Sequence, residues 1–196
     1  MKEIEGDCMI NKLGWKIGGE QGEGLESTAE IFSTVINKLG YHMYSTRDFA
    51  SRIKGGHSNS KICISEEKIN VIDYKTDILI AFDQATLDDY INELDENSII
   101  IADEKIKPEI SEEIKGLVAV FPITTLAKEI STPIIKNIIT LGICSALLDI
   151  DGKIFYEMIE SKFSSKGEEI VNMNIQAFDK GYEIMTCLLY TSPSPR

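Results

Sequence analysis

Leu25, Ala29, Phe32, Ile36 and Leu39 recur at spacings of 4, 3, 4 and 3, which puts one apolar stripe along a helix. Gly40 follows, where a left-handed cap is expected. Ahead of the stripe, Trp15-Lys16-Ile17 reads as a short strand running through Gly18-Gly19 into the glycine-dense turn Glu20-Gln21-Gly22-Glu23-Gly24. Strand, glycine turn and helix together predict the start of a βαβ unit, with its next strand over Tyr41 to Thr46. Residues 47–59 carry no clean period. Ser60 to Ser65 and Lys68 to Ile72 predict a β-hairpin that turns at Glu66-Glu67. Three short apolar runs, Asp77 to Phe82, Ser98 to Ala102 and Leu117 to Phe121, fit strands of a sheet covered on both faces. Crossover helices between them are expected at Ala85 to Leu94 and, more weakly, around Ile110 to Ile114.

After Phe121 the pattern becomes helical. A short helix is predicted over Thr124 to Ile130. Thr132-Pro133 then places a capping side chain ahead of a proline at the first helical position. The helix that follows, to about Asp149, is apolar nearly all round and should lie centrally. Lys136, Asn137, Thr140 and Asp149 interrupt it, so it reads as a buried helix of a soluble protein rather than a membrane span. Gly152 to Ser161 is a further helix, and Ile170, Met173, Ala177, Gly181 and Ile184 form a final stripe. Residues 1–13 read as a polar lead-in and 14–186 as one domain. Residues 187–196 do not continue the last stripe, and their Ser-Pro-Ser-Pro-Arg end reads as a non-native or disordered tail.

Composition narrows the functional classes. With 196 residues, 43% hydrophobic and 27% charged, the chain has the usage of an ordinary globular domain and can bury about 70% of its unfolded surface. A net charge of −12 disfavours nonspecific contact with nucleic acid or an anionic membrane. The cysteines, at 8, 63, 144 and 187, form no Cys-x-x-Cys pair and hence no local zinc or iron–sulfur motif. Dispersed cysteines suit a reducing compartment, and the first sixteen residues hold three acids and no apolar core, unlike a secretory leader; a cytoplasmic location is expected.

Two segments could carry chemistry. A glycine turn ahead of a helix presents backbone N–H groups and the positive end of the helix dipole to a phosphate. Here, however, Glu20, Glu23 and Glu26 crowd the turn. The nearest dinucleotide fingerprint is Gly22-x-Gly24-x-x-Ser27, and no acid follows at Tyr44 to Thr46, which argues against a nicotinamide cofactor. A plain tight turn that lets helix pack on sheet remains open. The second segment, residues 41–62, sets Arg47, Arg52, Lys54 and Lys61 against Asp48 alone; it carries +3 and leaves −15 for the rest of the chain. It also holds both histidines, His42 and His57, together with Gly55-Gly56 and Ser58-Asn59-Ser60. This points to a phosphate-rich ligand or an acidic partner; the alternative is a solvated loop whose basic residues pair with nearby acids. The two histidines show no spacing of a metal site, and no Ser-His-Asp order, Walker A motif or nucleophile elbow is legible. Cys63 and Cys144 are expected to be buried apolar residues.

The stretches WKIGGEQGEGLESTAEIF and GYHMYSTRDFASRIKGGHSNSKICIS, then DILIAFDQ, KNIITLGICSALL and FSSKGEEIVNMNIQAFDKGYE, resemble the gamma domain of the 2-oxoacid:ferredoxin oxidoreductases over residues 14–185. Arg52 to His57 is the most specific element. The resemblance implies a three-layer α/β/α, Rossmann-like domain with a mostly parallel sheet plus a β-hairpin. It implies a component of an enzyme that decarboxylates a 2-oxoacid on thiamine diphosphate, passes electrons through iron–sulfur clusters to ferredoxin and delivers the acyl group to coenzyme A. The gamma domain of such an enzyme is inactive alone. Thiamine diphosphate, magnesium and clusters lie in alpha and beta partner domains, and coenzyme A lies at its edge. Carried onto this sequence, Gly19, Gln21, Gly22 and Gly24 fall on the family's glycine turn, and Arg52, Gly55, Gly56 and His57 on its basic loop. The form Gly-Gly-Glu-Gln-Gly is similar to that of fused alpha subunits acting on 2-oxoglutarate. Its acid moves the expected phosphate contact toward the 47–57 loop, with Arg47, Lys54 and Asn59 as further candidates. The competing reading is a stand-alone Rossmann-like nucleotide- or phosphate-binding module.

Overall fold

A computed structural model of the protein describes residues 11–49, 56–70, 75–106 and 114–191. Six strands form one sheet: β1 (Lys12–Glu20), β2 (His42–Phe49), β3 (His57–Ser65), β4 (Ile78–Ala81), β5 (Ile99–Asp103) and β6 (Leu117–Phe121). Their spatial order is β2-β3-β1-β4-β5-β6. β1, β4, β5 and β6 run parallel, and β3 lies antiparallel to both of its neighbours. The helices are α1 (Leu25–Lys38), α2 (Gln84–Tyr90), α3 (Ile123–Ile130), α4 (Lys136–Leu147), α5 (Gly152–Phe163) and α6 (Glu168–Thr191).

Alternation along the strands divides the core in two. Trp15, Ile17, Ile62, Ile64, Ile78 and Ile80 pack toward α1, α4, α5 and α6. Leu79, Ala81 and Ile100 pack on the other face against Leu87 of α2 and Leu94. A strand covered on both faces has no polar side to show, which is why β4 reads Ile-Leu-Ile-Ala without a break. This is a three-layer α/β/α arrangement with a mostly parallel sheet.

Five expectations are corrected. The opening unit is a split βαβ: β2 follows α1, but β3 stands between it and β1. The strand over residues 60–65 does not pair with Lys68 and its successors; residues 68–70 form no strand, and 71–72 lie outside the described residues. Both edges of β3 are already occupied, by β1 and β2, so the antiparallel hairpin is β2–β3 instead. β6 is the last strand of the sheet, and Leu117 and Val120 are exposed rather than covered. At the C-terminal end, α6 continues through Cys187 to Thr191. The helix start at Thr132-Pro133 is also delayed: a 3-10 turn over Pro133–Ile135 precedes α4, and Thr132 makes no side-chain cap. The weak helix around Ile110 lies outside the described residues.

Trp15 ties β1 to two helices. Its ring stacks on Phe32 of α1 with centroids 4.6 Å apart, and its Nε1–H donates to Cys144 Sγ of α4 at 3.4 Å. Burial pushes the Cys144 thiol up to about 12, although the Trp15 hydrogen bond pulls slightly the other way. Cys63 is buried too, whereas Cys187 is exposed. Because the thiolate is the reactive form, iodoacetamide at neutral pH should label Cys187 and leave Cys63 and Cys144 unmodified until denaturant is added. Peptide mass mapping reads this directly; native labelling of Cys144 would contradict the packing.

Candidate functional site

The glycine turn sits at the end of β1, where the chain reverses into α1. Gly22 and Gly24 adopt φ of 92° and 80°, conformations that side chains rarely tolerate. Gly24 is the N-cap of α1 and has no side chain to cap the first-turn N–H groups. These groups and the positive helix end face a cleft of about 470 Å³. Across the cleft lie Arg47 of β2 and Ser58 and Ser60 of β3. Arg47 and Ser60 are cross-strand partners, so they share the face turned toward α1. The Gln21 N–H donates to the Gly56 carbonyl at 2.9 Å and draws the turn to the start of β3.

Two of the acids at the turn are ion-paired, and Glu20 is exposed. Glu23 Oε1 pairs with Lys136 Nζ of α4, and Oε2 accepts from the Glu20 N–H at 3.2 Å. The Glu23 carbonyl accepts from Asn137 Nδ2, and the Lys136 ammonium lies 4.3 Å from the Phe82 ring centroid. Glu26, also on the cleft, pairs with Arg47. Of the three acids that crowd the turn in the sequence, Glu23 and Glu26 are thus paired with bases of this chain.

The expected site residues divide accordingly. Gln21, Gly22, Gly24, Arg47 and Asn59 line the cleft, and Gly56 joins it through its carbonyl. Gly19 stands behind the turn, where a Cβ would meet Glu23 Oε2 at 2.6 Å and Phe82. His57 belongs to the opposite face: its Nδ1 is 3.3 Å from Asp83 Oδ2, and its ring centroid is 6.1 Å from that of Tyr90. The amide of Asn59 likewise donates to Tyr90 Oη. Burial, with nearby Asp89, Asp48 and Glu93, pushes that phenol up to about 12, so it is neutral at physiological pH. Arg52, Lys54 and Gly55 lie outside the described residues. Lys61 is buried and bonded to Glu93, so the basic segment of the sequence contributes Arg47, but not Lys61, to the cleft.

Lys136 and Asn137 are the site residues that sequence reasoning missed. Their signal was present, since two polar residues interrupt a helix buried on nearly every side. Among the described residues no group of three or more His, Cys, Asp or Glu is placed to hold a metal ion, and no helix is long and apolar enough to cross a membrane.

The 2-oxoacid:ferredoxin oxidoreductase subunit alpha of Sulfolobus sp is 28% identical over 94% of this chain and 35% of its own length. The chain therefore spans about a third of that relative. The 2-oxoglutarate synthase subunit KorC of Methanocaldococcus jannaschii is 33% identical, covering 71% of this chain and 75% of its own. Among solved structures, the 2-oxoglutarate:ferredoxin oxidoreductase of Magnetococcus marinus, with 2-oxoglutarate, coenzyme A and succinyl-CoA bound, superimposes with a TM-score of 0.82 at 26% identity, over 95% of this chain and 33% of that one. A sequence model of the pyruvate ferredoxin/flavodoxin oxidoreductase family matches residues 14–184, and the chain belongs to that family.

Proposed function

We propose that this chain is the gamma-type domain of a 2-oxoacid:ferredoxin oxidoreductase, and that it forms the coenzyme A side of the assembled site. The observation that carries the reading is the cleft at the N-terminus of α1, where Arg47 and two serines oppose uncapped backbone N–H groups. Such a surface suits the phosphates of an acyl-carrying nucleotide. In the sequence, the segment between β2 and β3 carries two more basic residues, Arg52 and Lys54. The Magnetococcus relative, which binds coenzyme A, supports the reading. Thiamine diphosphate, magnesium and iron–sulfur clusters are assigned to alpha and beta partner domains, with ferredoxin as acceptor. The described cysteines fit no cluster, since Cys63 and Cys144 are buried in different elements. Likeness to the alpha subunit of Sulfolobus sp favours the N-terminal part of a fused alpha subunit, and 2-oxoglutarate is the favoured substrate.

Replacing Arg52 and Lys54 together with alanine should raise the KM for coenzyme A in the assembled enzyme about tenfold, as expected for the loss of charge-assisted phosphate contacts. The KM for the 2-oxoacid should stay as it was. Steady-state kinetics with each substrate varied in turn measures both, and an unchanged coenzyme A requirement removes the reading.

A further inference from the structure

The two edges of the sheet are built differently. β2 exposes His42, Ser45, Arg47 and Asp48, polar side chains that discourage another strand from adding to it. β6, at the other edge, reads Leu-Val-Ala-Val-Phe and carries no charge, proline or glycine. Leu117 is 63% exposed and Val120 47%. Side chains alternate along the strand, so Leu117 shares a face with Ala119 and Phe121, and Val120 shares the other with Val118. Ala119 and Phe121 pack into the core under α1 and α4, and Val118 into the core under α2. The exposed apolar surface therefore wraps around the edge onto both faces of the sheet. A helix laid on one face covers Leu117 or Val120, whereas a strand added edge-on covers both.

The backbone agrees. The Leu117 N–H donates inward to the Ser98 carbonyl at 2.9 Å. Alternation then turns the N–H and C=O groups of Val118 and Val120 outward, and among the described residues no strand pairs with that edge.

We propose that β6 pairs antiparallel with β6 of a second copy of this chain, about a two-fold axis at Ala119, so that one sheet runs through both copies. Val118 of each copy then faces Val120 of the other, and these outward groups exchange hydrogen bonds in both directions. Leu117 faces Phe121, and Ala119 faces its own copy, as non-hydrogen-bonded pairs. The contact is the same patch on both sides and closes as a dimer. Charge favours this edge and this register. At −12, two copies repel over most of their surfaces, but here every paired position is apolar and no acid opposes an acid. Joining β6 to the β2 edge of another copy would set apolar against polar residues and grow without closing. One pair of five-residue strands is small beside the interface of a permanent dimer, so the association is reversible. The proposal is independent of the phosphate reading above.

Sedimentation equilibrium of the full 196-residue chain tests it. The weight-average mass should rise from 21.9 kDa toward twice that value over about a hundredfold increase in concentration across the micromolar range. Val120→Lys should hold the chain at the monomer mass over the same range, because the two lysines would lie about 7–8 Å apart on one face. The position is exposed, so the circular dichroism should not change. Cysteines test the register, in a chain whose Cys8 and Cys187 are replaced by serine. Ala119→Cys should form a covalent dimer on oxidation, since opposed Cα atoms about 4.5 Å apart suit a disulfide. Leu117→Cys should not, because the two copies of that position would lie about 13 Å apart. A monomer at every concentration overturns the proposal and leaves the edge to a different protein. A dimer that survives Val120→Lys, species larger than a dimer, or cross-linking of Leu117→Cys as readily as Ala119→Cys also overturns it. The measurement on the unsubstituted chain needs no variant, so it stands even if a substituted chain fails to fold.

Discussion

Gly181→Ala should destabilise the protein by about 3 kcal/mol or more, at the upper end of what overpacking costs. α4 and α6 cross where Gly142 of one and Gly181 of the other bring the two backbones together. A Cβ on Gly181 would overlap the Ile139 carbonyl oxygen and come within 2.8 Å of its carbon. A Cβ on Gly142 would overlap the Phe178 oxygen and approach the Tyr182 nitrogen to 2.7 Å. Both obstacles are backbone, so no side-chain rotation relieves them. The helices must separate, which opens space around Ile139, Ile143 and Phe178, all fully or almost fully buried. Alanine gains at most about 1 kcal/mol over glycine in helix propensity, too little to offset this. Gly40→Ala is the control. Unlike Gly181 it has a positive φ, of 90°, but no atom lies within 4 Å of its Cβ position, and the change should cost about 1–2 kcal/mol. Urea unfolding followed by circular dichroism gives all three midpoints. A Gly181→Ala midpoint no lower than that of Gly40→Ala would show that the crossing is looser than described. Gly142→Ala should be about as severe, and the double variant less than additive, because either methyl alone forces the helices apart. α4 also carries Lys136 and Asn137, which hold Glu23, so separation should loosen the glycine turn as well.

Helices and central strands were the legible part of this fold. The stripes of α1 and α6 and the unbroken apolar runs of β4 and β5 are local signals of burial, and burial is where they lie. Strand pairing is not local. Nothing around residues 60–65 says that both edges of β3 are taken by β1 and β2, so the nearest polar turn, Glu66-Glu67, was given the hairpin. The site was legible to a similar degree. Gly22 and Gly24 announced the turn, and the basic segment pointed to Arg47. What the sequence could not convey was the pairing of acids with bases over long separations: Glu23 with Lys136, Glu26 with Arg47, and Lys16 with Glu93. Asn137 was visible as a polar break in an apolar helix, but its role depends on a turn more than a hundred residues earlier.

Glu93→Ala should cost about 3 kcal/mol, because it strands buried positive charge. Lys16 Nζ lies 2.7 Å from Glu93 Oε1, and Lys61 Nζ 3.0 Å from Oε2, which also accepts from Thr76 Oγ1 at 2.7 Å. Both lysines are buried between the sheet and the residues after α2, and Lys16 lies 3.5 Å from the Tyr90 ring centroid. The Glu93 side chain is 23% exposed, which keeps the cost near the lower end for a broken buried pair. Burial alone would raise the Glu93 carboxyl, but the hydrogen bonds from Lys16, Thr76 and Lys61 together hold it below its ordinary 4.5. The carboxylate's contribution is therefore complete above pH 4.5 and is lost as pH falls through the lowered folded value. Glu93→Gln should flatten that part of the acid limb in urea midpoints measured downward from about pH 5. Lys16 shifts by a different balance. Burial lowers it despite the Glu93 bond, so the unfolded chain holds this proton more tightly, and stability rises with pH in the window below 10.5. Removing Lys16 should accordingly be mild where removing Glu93 is severe. Lys16→Met fills the same volume, leaves Glu93 bonded to Lys61 and Thr76, and should change stability by less than about 1.5 kcal/mol. Equal losses in Lys16→Met and Glu93→Ala would mean that the pair acts as an ordinary bridge, with no excess of buried positive charge to be neutralised.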